Sequence, residues 1–343
     1  MGVAFKDLIV SKEIQLEDLK EKIIVLDAYN VLYQFITTIR GRDGTLLMDS
    51  KGNTTSHLVG LFSRTTSLMQ RGLKLAFVFD GKPPDLKQKE KEKRNALKLE
   101  YEKRYLEAKK KDDKEEMRKY ASRTSRLSES MIEESKKLVS LLGIPVVQAP
   151  SEGEAQAAHM VKENKGFAVG SQDFDSLVHG ATKLARNLSI SGKRKKSRGA
   201  TYDTIKPEII DLSENLNNLG IDADQLIALA MIIGTDYNPG GIKGIGPKNA
   251  LKLVKQHKSD FDSLFKEIKW NDHFEFEWTE VYHLIKKIPT TDKYKLKWGD
   301  INDEKINNLL VDTHDFSDQR VTNTLEKLKR ESTQRQQKSL GEF

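Results

Sequence analysis

Seven carboxylates stand where an apolar run gives way to a turn or a helix. Asp27 closes KIIVLD, Asp80 closes LAFVFD, and Glu152 and Glu154 follow IPVVQAPS. Asp173 and Asp175 follow GFAVGSQ, and Asp236 lies in GTDYN. Any one of them suits a turn or a helix N-cap, and Ser151-Glu-Gly-Glu154 fits a capping box. As a group they point to another chemistry. Clustered carboxylates repel, so either some hold protons or cations neutralise them. The chain has no cysteine and no clustered histidine. An all-oxygen donor set selects hard cations, Mg²⁺ or Mn²⁺, over zinc. Two such ions about 4 Å apart activate a water and stabilise in-line displacement at a phosphodiester.

Such a site needs a scaffold that brings distant residues to one place. Four short apolar runs rich in β-branched residues, 22–30, 75–82, 144–152 and 166–175, predict buried strands. Between them 56–72, 129–143 and 151–166 carry helical patterns. The alternation predicts an α/β fold: a mostly parallel central sheet, joined by right-handed crossovers and flanked by helices on both faces. Ligands bind such sheets beyond the carboxyl ends of the strands, which is where six of the carboxylates fall.

Residues 85–130 are nearly all charge and interrupt the sheet domain as a solvated helical excursion, of a length that in compact domains is often a functional lid or binding loop. The basic stretch 190–201 reads as a loop touching phosphate. After a helix from about 222, GGIKGIGPK supplies Gly241, Gly244 and Gly246 and then Pro247, at the first position of a helix. Glycines there let backbone N–H groups, and Lys248 beside them, approach a phosphate at a positive helix end. This is a helix–hairpin–helix type grip, which holds duplex backbone without reading bases. No apolar run reaches membrane-span length and no signal peptide is visible. Lys and Arg number 58 against 51 Asp and Glu, a modest hint of a polyanionic partner. The expectation is a soluble intracellular protein whose last dozen residues form a disordered tail.

LDAYNVLYQF, FVFDGKPPDLK, APSEGEAQAA, SQDFDSL, GTDY and GIKGIGPKNA occur in the order, and near the spacing, of one family. The chain resembles the flap endonucleases of the XPG-type structure-specific 5′ nucleases, over essentially its whole length, and their archaeal members most. The resemblance implies one metal site lined by Asp27, Asp80, Glu152 and Glu154, and another by Asp173, Asp175 and Asp236, holding two Mg²⁺ with Mn²⁺ as a substitute. Lys87 and Arg94 would approach the scissile phosphate, and Tyr33 would stack on a base. Gly2 would become an amino terminus near the site, and Thr54, Thr55 and Ser56 would touch the upstream duplex. The stretch 85–130 would be an arch and cap for the 5′ strand. A helix-2-turn-helix over about 222–256 would hold the downstream duplex, with K⁺ at its hairpin. Gln337, Leu340 and Phe343 form a shortened version of the peptide Q-x-x-h-x-x-F-F that binds the sliding clamp, proliferating cell nuclear antigen.

The expectations that follow are a single nuclease core over 1–328 and a flexible clamp-binding tail over 329–343. The implied activity is 5′ flap cleavage in replication (Okazaki fragment maturation) and repair, giving 5′-phosphate and 3′-hydroxyl ends, with a 5′–3′ exonuclease side activity. The implied setting is a monomer in the cytoplasm of an archaeal cell, associated with the nucleoid. Three rivals stand beside it: a Holliday-junction or repair-bubble nuclease of the same superfamily, a Mg²⁺ phosphatase using QDFDS, and a non-catalytic clamp adaptor whose carboxylates only cap helices.

Overall fold

Alternation along two strands decides which side chain enters which core. In the computed structural model β2 (Ile23–Asp27) and β3 (Lys74–Phe79) pair in parallel, Leu26 beside Phe77 and Asp27 beside Val78. Ile24, Leu26, Leu75, Phe77 and Phe79 point to one face; Val25 and Val78 point to the other. Each such burial contributes about 1.5–3 kcal/mol. The structure describes the chain apart from residues 1–2, 42–43, 112, 122–123, 189–191, 196–201 and 341–343, and apart from the side chains of 88–94, 114, 118, 192–195, 202–204, 332 and 334–340.

The remaining elements follow in order. β1 is Lys12–Glu13, α1 is Ala28–Thr38 and α2 is Ser56–Gln70. After β3 come α3 (Asp85–Lys110), α4 (Lys114–Ala121), α5 (Glu129–Leu141) and β4 (Val146–Gln148). Then come α6 (Gly153–Lys162), β5 (Ala168–Gly170), α7 (Asp175–Val178), β6 (Lys183–Arg186), β7 (Gly192–Lys195), β8 (Tyr202–Ile205) and β9 (Glu208–Asp211). Helices α8 (Leu212–Leu219), α9 (Ala223–Ile233), α10 (Pro247–His257), α11 (Phe261–Glu267), α12 (Trp278–Lys286), α13 (Asp303–Asn307) and α14 (Asp318–Leu340) complete the chain.

Seven strands form one sheet in the order β1-β9-β6-β5-β2-β3-β4. The five from β6 to β4 run parallel, and β9 lies antiparallel to both β6 and β1. The chain leaves β2 towards β3 and leaves β5 towards β6, its neighbour on the opposite side. The carboxyl ends of β2 and β5 therefore flank a topological switch point, where doubly wound sheets bind ligands. The four expected strands are present but end earlier than their windows, at 27, 79, 148 and 170, because helices or tight turns begin at once. Asp27 closes β2 and also caps α1, its Oδ1 accepting the Asn30 N–H at 3.2 Å.

One core joins Val25, Val78, Val147 and Val169 to α6, α9, α10 and an aromatic group around Trp270, Phe265 and Trp278. The other joins Ile24, Leu26, Phe77 and Phe79 to α1, α2, α5 and α14. The charged excursion forms α3 and α4, which pack through stacked Tyr101 and Tyr120 rings 6.1 Å apart and over buried Ala108 and Met117. Helix α14 runs to Leu340 and so continues past residue 329, where the flexible tail was expected to begin. No single helix among the described residues is long and apolar enough to cross a membrane.

Candidate active site

Asp80 does the work assigned locally to Ser151. Helix α6 has its N-cap at Glu152, with no side-chain cap bond, so the expected Ser151–Glu154 capping box does not form. The orphan N–H of Gly153 instead donates to Asp80 Oδ1 at 2.8 Å, and the Gly81 N–H donates to the Ser151 carbonyl at 2.6 Å. Two segments distant in sequence are thus pinned together. Only glycine fits: a Cβ on residue 153 would lie 2.6 Å from Asp80 Oδ1.

Around this junction the predicted carboxylates converge. Asn30 ties the ends of β2 and β5, donating from Nδ2 to Asp173 Oδ2 at 2.8 Å and accepting the Gln172 N–H at 3.1 Å. Asp175 accepts the Val3 N–H at 2.7 Å. Buried Glu152 accepts the Tyr237 hydroxyl at 2.5 Å and pairs with Lys87 Nζ at 2.5 Å; the same ammonium lies 3.2 Å from Asp236. A ring nitrogen of His179 and one oxygen each from Glu152 and Glu154 lie within 4.8 Å of one another. Atoms bound to a single Mg²⁺-sized ion are at most about 4.2 Å apart, so small side-chain adjustments let this set hold a cation.

The electrostatics show how closely the groups sit. Burial, then Asp80 and Asp173, pushes Asp27 up to about 7, against the pull of Asn30 and Lys87. Burial, Asp236 and Asp173 push Asp175 up to about 6, although the Val3 N–H opposes them. Burial, Asp175, Glu152 and Asp27 raise Glu154 well above the carboxylate range, against Lys87. Burial would lower Lys87, but Glu154, Glu152 and Asp236 outweigh it and the ammonium is held protonated. Among the described residues Lys87 alone does not offset so many carboxylates, and divalent cations would relieve their repulsion.

Three residues here escaped the sequence reading. Asn30 stands three residues from Asp27, and Tyr237 stands beside Asp236 in a motif already singled out. His179 corrects the expectation that no histidine joins the cluster: one helical turn, α7, carries it four residues from Asp175 and so to the same side. Burial lowers its basicity, against the pull of Glu152.

The other candidates are spread around this centre. Tyr33 is exposed on α1, with Lys98 Nζ 5.4 Å from its ring centroid. Arg94 lies on α3 but its side chain is outside the described residues, as are Gly2, Phe343 and the side chains of Gln337 and Leu340. Thr54 is bridged to Met48, and Thr55 lines a cavity of about 890 Å³ between the 47–55 loop, α2 and α14. Ser56 is fully buried and its Oγ accepts the Leu47 N–H, so it closes that loop from within. In the hairpin between α9 and α10, Gly241 (φ +57°) packs against Ile232 while Gly244 (φ +89°) and Gly246 have open space where a Cβ would be. Pro247 opens α10 and Lys248 is exposed beside it.

A doubly wound sheet with an acidic centre at its switch point, under a helical insertion, is the arrangement of an XPG-type nuclease. The XPG N-terminal domain family matches residues 2–101 and the XPG I-region matches 143–236. Flap endonuclease 1 of Pyrococcus abyssi is 52% identical over 330 residues, 96% of this chain and 94% of its own. The solved structure of flap endonuclease-1 from Methanococcus jannaschii superimposes with a TM-score of 0.76 at 42% identity, covering 97% of this chain and all of that one. Human GEN1, solved in complex with Holliday junction DNA, shares the fold alone: TM-score 0.65 at 21% identity, over 96% of this chain and 78% of its own. The chain belongs to the flap endonuclease 1 family, and is a DNA nuclease.

Proposed function

We propose that the protein is a divalent-metal-dependent, structure-specific 5′ flap endonuclease of DNA replication and repair. It hydrolyses one phosphodiester near the junction of single and double strand, leaving 5′-phosphate and 3′-hydroxyl ends, with 5′–3′ exonuclease activity at the side. The observation that carries this is the convergence of Asp27, Asp80, Glu152, Glu154, Asp173, Asp175 and Asp236 at the switch point, with Lys87 reaching in from the first turn of α3. These carboxylates would hold two Mg²⁺ ions, or Mn²⁺, which supply an activated water and charge stabilisation to the displaced oxygen. Asn30 fixes Asp173, and Tyr237 fixes Glu152. Lys87, with Arg94, neutralises charge developing on the phosphoryl oxygens. Tyr33, exposed beside Lys98, offers a face for a base next to the cut.

The substrate is branched DNA held by backbone and shape. The hairpin of Gly241, Gly244, Gly246 and Lys248 grips the downstream duplex, and its backbone would hold a K⁺ ion that adds positive charge towards the phosphates. Thr54 and Thr55 face the upstream side, and α3 and α4 guide the 5′ strand. Affinity then falls steeply with salt. Gln337, Leu340 and Phe343 give the protein, as a monomer in the cytoplasm of an archaeal cell, a handle for the sliding clamp.

The test is cleavage of an end-labelled 5′-flap substrate with Mg²⁺, with EDTA and with Asp175→Ala, beside a four-way junction. Cutting near the flap junction only with Mg²⁺, and a variant that binds without cutting, bear the reading out. An Asp175→Ala protein that cuts like wild type makes the carboxylates structural, and preferential cutting of the four-way junction favours the junction-resolving rival.

A further inference from the structure

His179 stands in the acidic centre but outside the motifs that the sequence singles out. It ends α7, four residues from Asp175, and its backbone N–H donates to the Asp175 carbonyl at 3.1 Å. The ring and Ile285 of α12 line one small cavity. Its Nδ1 is shielded from solvent and has no hydrogen-bond partner among the described residues. Buried polar groups are as a rule hydrogen-bonded; this ring leaves Nδ1 without a partner among the described residues and has a nitrogen within 4.8 Å of oxygens of Glu152 and Glu154.

A small space lies beside the ring, on the Glu154 side. Glu154, Asp175, His179 and Asp236 line a cavity of about 10 Å³, room for about one water. Glu152 and Glu154 each place an oxygen within 4.8 Å of a His179 ring nitrogen. An unpartnered ring nitrogen and anionic oxygens within reach of the ring are a poor setting for an idle imidazole and a good one for a ligand.

We propose that His179 is a nitrogen ligand of a divalent cation held with Glu152 and Glu154. The proposal rests on the metal-centre reading above and deepens it. An all-oxygen site suits Mg²⁺ and Mn²⁺ alike, whereas one imidazole shifts preference towards Mn²⁺, since Mg²⁺ takes nitrogen reluctantly. In this chain Mn²⁺ is then the tighter-bound ion at that position.

The deciding measurement is pulsed electron paramagnetic resonance on the full-length protein loaded with Mn²⁺ alone, without DNA. Wild type shows the coupling of a directly bound ¹⁴N, and the signal changes when histidines carry ¹⁵N. His179→Phe and His179→Gln lose it. In calorimetric titrations these variants weaken Mn²⁺ binding about tenfold, the scale of losing a ligand's support, and change Mg²⁺ binding less than about twofold. Bound Mn²⁺ with no nitrogen coupling in wild type, or a coupling that survives both substitutions, overturns the proposal and leaves the nuclease reading standing. Failure of wild type to bind Mn²⁺ at all overturns the metal-centre reading, and the proposal with it. The wild-type spectrum decides even where a variant does not fold.

Discussion

Tyr237→Phe removes one oxygen and tests whether Glu152 is held in place or merely present. The Tyr237 hydroxyl donates to Glu152 Oε2 at 2.5 Å, and both side chains are buried. Burial and the neighbouring Glu152 raise the phenol far above its ordinary range, so it remains a donor at every working pH. Phenylalanine fills the same space but leaves a buried carboxylate oxygen without that partner, which costs about 1–3 kcal/mol. With about 2.1 cal/mol/K of unfolding entropy per residue over 343 residues, each kcal/mol moves Tm by about 1.4 °C. The metal-free variant should therefore melt about 1.5–4 °C below wild type. Losing the support of a metal-binding side chain lowers activity about 10–100-fold, and the loss should fall on kcat and the Mg²⁺ requirement, with the KM for flap DNA unchanged. Differential scanning calorimetry with EDTA and single-turnover cleavage across a Mg²⁺ series measure the two effects. A variant that melts and cuts like wild type refutes the reasoning, because Glu152 would then need no fixing from Tyr237.

Asp175→Asn keeps an acceptor for the Val3 N–H but removes charge. Since the folded protein holds this carboxyl at about 6 against an ordinary 3.8, it binds the extra proton between those values, and its ionisation destabilises the metal-free fold as pH rises through them. The shift corresponds to about 3 kcal/mol at most, so with EDTA the variant should melt up to about 4 °C higher near pH 8 and equal to wild type near pH 4, while cutting is abolished; an unchanged Tm at high pH refutes the repulsion argument. Asp49 shows the opposite sign. Burial would raise it, but hydrogen bonds from Asn53, His314 and Lys51 hold it down to about 2. Asp49→Asn should be less stable than wild type above about pH 4, with the gap closing as pH falls through about 2, read as urea midpoints across that range. At the hairpin, Gly244→Ala should cost about 1 kcal/mol and weaken duplex binding in gel-shift assays. Gly241→Ala should fold poorly, because its Cβ would meet the Ile232 carbonyl at 2.3 Å; equal Tm values for the two would contradict the packing.

Strand ends were legible because alternation and a terminal carboxylate are local signals. IIVLD and LAFVF announce buried strands that stop at Asp27 and just before Asp80, and the parallel topology then brings these ends together. What escaped depends on distant partners. The strands β6, β9 and β1, on one side of the sheet, are short and half-polar, so nothing in KLAR or EIID marks them without the sheet they join. The start of α6 was misread by one residue, since Ser151 looks like a cap until Asp80, from another strand, takes the Gly153 N–H. His179 lies outside every motif and Tyr237 lies within GTDYN without a role assigned there: their roles come from α7 and the α9–α10 turn lying against α6.

The two surfaces proposed to hold DNA are rooted in different cores. The glycine hairpin is anchored through Ile242, Ala250 and Val254 on the α6–α9 side of the sheet. The 47–55 loop and its cavity stand on Leu58, Leu61 and Val321 on the other side. The sheet lies between them, with the acidic centre at the carboxyl ends of its strands, and the segment from Thr291 to Asn302 ties the two sides together through Gln156, Leu75 and Leu141. If both surfaces hold duplex as proposed, the angle between the two duplexes would be set largely by the hydrogen-bonded strands β2, β3 and β5 between them. The protein would then act as a gauge, and a branch with the wrong angle would satisfy either grip alone without seating its phosphate among the carboxylates. A substitution that softens the sheet would therefore loosen substrate discrimination even with every carboxylate intact.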